Sequence, residues 1–316
     1  MTRFLPAATL AIALGWAGAL PAQTAGVFHD VEPLSLDSAT PVTPVLFEDS
    51  AMPIFGRWSG MSRAELTYLR PHFKDVVVNP ISEGLFELEA APRYTAGAIR
   101  DDGWGFQGRY FNYDADGRNQ FIAVQDFISY EIELDMYAVD VEALKLFQGN
   151  LWSLQATLGA RHASFSRRRI LSGVNTAIDN PVVFFVDQDT TFEGTGITGS
   201  LELTRRIAST PWRIFVNGRG FGLWGTEKDN SAGAIIFGGN FTPNGLRQVM
   251  DATQIGLETQ AGIEWRHDLS FLHGSVVART AFEYQMWNTS SVDPQNNQSQ
   301  LDTSLFGSAF SVGFTH

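Results

Sequence analysis

From about residue 84 onward the chain alternates polar and apolar positions in segments of 11–17 residues. In 252–266, Ile255, Leu257, Ala261, Ile263 and Trp265 share one parity, and Gln254, Glu258, Gln260 and Glu264 share the other. In 274–287, Val276, Ala278, Phe282, Tyr284 and Met286 alternate with Arg279, Glu283 and Gln285. In 305–315, Phe306, Phe310, Val312 and Phe314 alternate with Gly307, Ser311 and Thr315. Successive strand side chains point to opposite faces, so each segment has one apolar face and one polar or small face. The pattern predicts nine strands: 88–100, 104–114, 130–146, 151–165, 191–206, 211–225, 252–266, 271–288 and 304–315.

The breaks between these segments are alternately short (101–103, 147–150, 207–210, 267–270) and long and polar (115–129, 166–190, 226–251, 289–303). Short turns at one end and long loops at the other predict an all-β fold, a transmembrane antiparallel up-and-down barrel. A soluble sandwich rarely needs strands this long or so regular an asymmetry. If the last strand runs toward the periplasm, the strand at 88–100 does too, and an even strand number then requires an earlier outward strand. Phe73–Ile81, with Val76, Val77 and Val78, is the candidate, limited by Pro80. The expectation is about ten strands, with eight or twelve as alternatives.

Ahead of the barrel the pattern changes twice. Met1-Thr2-Arg3, the apolar run Phe4 to Leu20 and Pro21-Ala22 read as a signal peptide over 1–22, with cleavage after Ala22 or, as the alternative, Ala25. Residues 23–72 read as a linker without periodicity. Within it, Ser62 and Glu65 match capping-box spacing and Ala64, Leu66 and Leu69 follow, which predicts a short helix over 63–70, closed by Pro71. The barrel is then expected over 73–316.

Composition agrees with this organisation. Charged residues are 18% of the chain, against roughly 25% in an average globular domain, while aromatics reach 12% with 24 Phe and 8 Trp. Mean hydropathy is close to zero, which excludes a polytopic helical membrane protein but suits a barrel that hides its hydrophobicity by alternation. The net charge of −12 excludes nucleic acid as a partner. With no cysteine there is no disulfide and no thiolate chemistry. Trp104, Trp152, Trp212, Trp224, Trp265 and Trp287 fall near strand ends, as girdle residues do, and Trp58 does not.

The polar parity carries the candidate site. Arg109, Arg161, Arg219 and Arg279 lie on it, as do Asp140, Glu142, Glu202, Glu258, Glu264 and Glu283. Charges facing lipid are costly, so these should line the lumen. There they form either a constriction that selects solutes or a set of ion pairs filling a narrow interior. Other motifs carry less. Gly194-Thr195-Gly196-Ile197-Thr198-Gly199 matches GxGxxG but lacks the strand, helix and acid of a dinucleotide site, so no cofactor is expected. Asn112, Asp114, Asp116 and Gly117 match half of a calcium loop, and Ala123 stands where the bidentate acid belongs. His29, His72, His162, His267, His273 and His316 adjoin no catalytic motif, although Ser164 and Ser166 follow His162, and no enzymatic role is expected.

Ala98 to Asp116, Leu134–Ser164 (with Asp140, Glu142, Trp152 and Leu158-Gly159-Ala160-Arg161-His162), Phe192 to Gly196, and Gly256-Leu257-Glu258 with Glu264-Trp265 resemble segments of the Legionella-type major outer-membrane protein family. The resemblance spans roughly 90–315 and implies a pore-forming outer-membrane barrel, with no catalytic residues. The chain departs from the family's founding members in lacking cysteine, so linkage by disulfides is not implied. It also ends Phe314-Thr315-His316 rather than in the Phe that assembly machinery reads. The expected partners are outer-membrane lipids, the barrel assembly machinery and hydrophilic solutes. The expected role is a diffusion pore; the alternatives are a closed structural or adhesive barrel that presents its loops and, ranked after it, an outer-membrane hydrolase.

Overall fold

The structure is a computed structural model that describes residues 57–73, 86–123, 126–175, 182–237, 240–269, 274–291 and 302–316. The expected leader and its cleavage positions lie outside the described residues. Ten strands occur in chain order: β1 (Trp58–Phe73), β2 (Glu89–Arg100), β3 (Trp104–Ala123), β4 (Asp126–Gln148), β5 (Trp152–Asn175), β6 (Val182–Arg206), β7 (Trp212–Phe237), β8 (Asn240–Leu269), β9 (Gly274–Ser291) and β10 (Thr303–Thr315). Each pairs antiparallel with its chain neighbours, and β1 pairs with β10, so the sheet is a closed barrel without free edges. The expected fold class and strand number are what the structure has.

Alternation sorts the two faces. Leu66, Tyr94, Phe106, Val141, Leu158, Ile197, Leu201, Val216, Ile255, Phe282, Phe306, Phe310 and Val312 point outward and are exposed. The opposite parity is buried inside the ring and mixes charged with apolar side chains. At one end the chain reverses tightly. Between β2 and β3, Gly103 adopts a φ of 83° and its N–H donates to the Arg100 carbonyl at 2.7 Å. Glycine meets no Cβ penalty in that left-handed region.

The first strand differs from expectation. Residues 63–70 form no helix; they belong to β1, which starts at Trp58, so the barrel begins well before residue 73. Leu66 and Leu69 fit a helical spacing, but the full set fits period two better. Ala64, Leu66 and Tyr68 face out, while Arg63, Glu65, Thr67 and Leu69 face in. Tertiary pairing on both sides overrides the local capping pattern. Pro71 is accommodated because pairing with β2 stops at Leu69↔Glu89, while Pro71↔Leu305 continues toward β10. Of the expected strand Phe73–Ile81, Phe73 ends β1 and 74–81 lie outside the described residues.

Three of the expected long loops are also strand. The β3–β4 pairing extends to Ala123↔Asp126, β5–β6 to Asn175↔Val182 and β7–β8 to Phe237↔Asn240. These hairpins continue as ribbons past the apolar belt. In the β3–β4 ribbon the outward residues become polar (Asp114, Asp116, Glu131, Glu133, Asp135), so the hydrophobic alternation fades while the backbone ladder goes on. The β5–β6 and β7–β8 ribbons keep exposed apolar residues such as Phe185, Phe241 and Val249 among polar ones.

Candidate functional site

Period two places the lumen charges. Arg109, Asp140 and Arg161 are direct register partners on β3, β4 and β5, so a carboxylate sits between two guanidiniums. Asp140 accepts from Arg161 Nε at 2.6 Å and Nη2 at 2.9 Å, from Arg109 Nη1 at 3.2 Å and from Arg219 Nη1 at 3.3 Å. Further bonds span the interior. Glu258 on β8 accepts from Arg109 on β3 at 2.5 Å and from Arg161 on β5 at 2.8 Å. Arg219 on β7 reaches Glu142 on β4, which also accepts from Gln107 at 2.7 Å. All of these side chains are buried.

In this layer Arg93 and Glu65 escaped the sequence reading, as Arg63 did nearer the short turns. Arg93 on β2 bonds Glu65 on β1 and donates to Glu283 on β9 at 2.6 and 3.1 Å. Gln260 joins them, donating to Glu65 at 3.0 Å and Glu283 at 2.7 Å. Glu65 was hidden by reading its segment as a helix. Arg93 shares its parity with Thr95 inside β2, and that alternation was the available signal. Nearer the short turns a second group forms. Arg279 donates to Glu202 at 2.7 and 3.0 Å and to Glu264 at 2.8 Å, with Arg63 3.8 Å from Glu202. The expected lumen set, Arg109, Asp140, Glu142, Arg161, Glu202, Arg219, Glu258, Arg279 and Glu283, all face inward, but as two groups.

Toward the ribbons the ion pairs give way to apolar side chains. Leu69, Phe111, Tyr113, Leu134, Met136, Phe165, Phe192, Leu223, Trp287 and Leu305 form one buried cluster that fills the ring. Phe221 and Trp287 rings lie 4.6 Å apart, and the Arg161 guanidinium sits 4.3 Å above Phe221, joining the two layers by a cation–π contact. Trp287 is therefore no girdle residue; it is fully buried and donates to Gln285 at 3.0 Å. Trp58, Trp104, Trp152 and Trp212 are exposed at the short-turn end, Trp58 included.

Below the charges, at the short-turn end, the lumen opens into a cavity of about 910 Å³. Among the charges themselves the void is about 20 Å³, roughly one water.

The remaining motifs resolve simply. Asn112, Asp114 and Asp116 alternate along the outer face of extended β3, so their oxygens do not converge on one ion, and the half-matched calcium loop is a strand. Gly194–Gly199 lies within β6 between two antiparallel neighbours. His162 faces outward above the belt, with Tyr137 Oη 3.2 Å from Nε2 and Thr195 Oγ1 3.1 Å from Nδ1.

No family model and no curated protein matches the chain. Among solved structures, similar chains include the outer membrane protease OmpT from Escherichia coli, at 8% identity and TM-score 0.36, covering 83% of this chain and 93% of that one. Neisserial surface protein A is 10% identical with TM-score 0.29, covering 81% of this chain and 95% of the other. The attachment invasion locus protein Ail of Yersinia pestis is 10% identical with TM-score 0.28, covering 83% of this chain and 100% of its own.

Proposed function

We propose that the chain is an outer-membrane barrel with a closed interior, which anchors and presents its extended ribbons rather than conducting solutes. The observation that carries this reading is the filled lumen, in which cross-barrel ion pairs lie beneath a continuous apolar cluster. The outward apolar belt supports the membrane setting, because a closed barrel satisfies every backbone group in lipid. The short-turn end faces the periplasm and the ribbons face outward. β8 has 30 residues. At about 3.4 Å per residue and a tilt of about 40° it extends about 75 Å along the barrel axis, about three times the ~25 Å apolar band. Most of its length is therefore outside the bilayer.

Passive diffusion is the second reading, favoured by the open 910 Å³ cavity and by the resemblance to a pore-forming family. Planar-bilayer recording of the folded protein separates the two. A closed barrel gives no discrete channel events at any voltage; reproducible single-channel steps would overturn the closed reading and restore the pore.

A further inference from the structure

The two charged layers of the lumen are unlike. In the middle, Arg93, Arg109, Arg161 and Arg219 are met by Glu65, Asp140, Glu142, Glu258 and Glu283, so acids are in slight excess. In the short-turn cavity the balance is reversed. Arg63, Arg206, Arg213, Arg266 and Arg279 line it against Glu202, Glu264 and Asp268. The acids are shared thinly: Glu264 serves Arg279 at 2.6 Å and lies 3.7 Å from Arg213, and Asp268 lies 3.6 Å from Arg266. Arg206 has no carboxylate partner among the described residues.

The register sharpens the imbalance. Arg206 on β6 and Arg213 on β7 are direct cross-strand partners, and both face the lumen. Arg266 is brought alongside when its N–H donates to the Pro211 carbonyl at 3.1 Å. Like charges directly opposite one another are destabilising. Three adjacent strands thus present guanidiniums together at the wall of a half-enclosed chamber, in a chain whose net charge is −12. Low-dielectric walls focus such a field on whatever enters. The remaining lining is rich in amides and hydroxyls, including Gln107, Gln155 and Thr204.

We propose that this cavity is a binding site for a small hydroxylated anion, a sugar acid or sugar phosphate, entering from the short-turn end. The anionic group docks on the forks of Arg206, Arg213 and Arg266, which match carboxylate and phosphate oxygens in pairs. Gln107, Gln155 and Thr204 meet the hydroxyls deeper in. The volume lies within the ~300–1,000 Å³ usual for small-molecule sites. Binding follows from the cavity's geometry whether or not the barrel conducts; only its periplasmic address rests on the proposed orientation.

The test is titration calorimetry on the full mature chain folded in detergent, with glucose 6-phosphate, glucuronate, inorganic phosphate and neutral glucose as probes. At least one of the two sugar anions should bind at least about tenfold more tightly than glucose, as charge-assisted pairing requires, and should weaken between about 50 and 500 mM salt. The tighter of the two identifies phosphate or carboxylate as the anionic group. Arg206→Gln with Arg213→Gln should abolish the preference. If that pair fails to fold, Arg206→Gln alone should still weaken binding, because Arg206 has no carboxylate to release. Neither sugar anion binding better than glucose, or unchanged binding by a folded variant, overturns the site. Inorganic phosphate binding as tightly as glucose 6-phosphate overturns the hydroxyl contacts.

Discussion

Arg161 joins the two halves of the filled lumen. It is fully buried, holds Asp140 and Glu258, and lies over Phe221. Removing one member of a buried pair strands its partners in a poorly hydrated interior, at a cost of about 3–5 kcal/mol. Arg161→Ala should therefore unfold at lower urea in detergent, by about that amount. Arg161→Ala combined with Asp140→Ala should cost less than the two separate losses added, because each single change already breaks the shared bonds. Strict additivity would show that the pair is not coupled. A milder electrostatic effect sits in the β2–β3 turn. The Arg100 guanidinium donates to Asp102 and holds its carboxyl down at about 2. An acid whose folded pKa is depressed adds stability that is complete above its unfolded value, about 3.9, and lost as pH falls through the folded value. An NMR titration should find Asp102 still ionised at pH 3 (about one unit above its midpoint), and Arg100→Ala should return it to the ordinary carboxylate range.

β1 shows where element-scale reading succeeds and fails. The later strands were legible because outward Ile, Phe and Val contrast with inward Arg, Glu and Gln at every second position. In β1 the contrast is blurred by inward Thr67 and Leu69 and outward Arg70, and Ser62 and Glu65 imitate a helix start. The β3–β4 ribbon is hard to read for a related reason: on its outer face Asp114, Glu133 and Asp135 leave no apolar row to count. The lumen charges were legible as a set, since a lipid-facing charge is prohibitive, but their partners were not. Register across the ring, which brings Arg93 to Glu283, cannot be read from one strand. Cysteine substitution along β1 tests the strand directly. Positions 64, 66 and 68 should react with a lipid-soluble probe in vesicles and positions 65, 67 and 69 should not; labelling with a period near four would restore the helix. Leu66→Arg should destabilise the folded barrel by up to about 2–4 kcal/mol if the position sits near the bilayer midplane.

At the scale of the molecule, two unlike barriers lie in series along the axis, an apolar cluster and a layer of interlocked ions. Truncating Phe221 and Trp287 to Ala removes most of the aromatic contact. Each should cost about 3–5 kcal/mol; Arg161 loses its ring contacts, yet its bonds to Asp140 and Glu258 in the ionic layer below do not depend on them. The double variant should therefore be as silent in a planar bilayer as the native protein, and channel steps from it alone would show that the ion pairs do not seal the lumen. The ring is closed by hydrogen bonds between β1 and β10, from Met61↔Thr315 to Phe73↔Thr303, and the His316 N–H donates to the Gly60 carbonyl at 2.9 Å. The first and last strands thus begin and finish side by side at the same rim. Geometrically, a circle of ten staves has no first stave. A gene rearranged so that residue 316 runs through a short linker into 57, with new ends cut in the 207–211 turn, encodes the same neighbours in a different order. Its folded form should show the native resistance to urea, and only the order in which the hairpins follow one another along the chain would change.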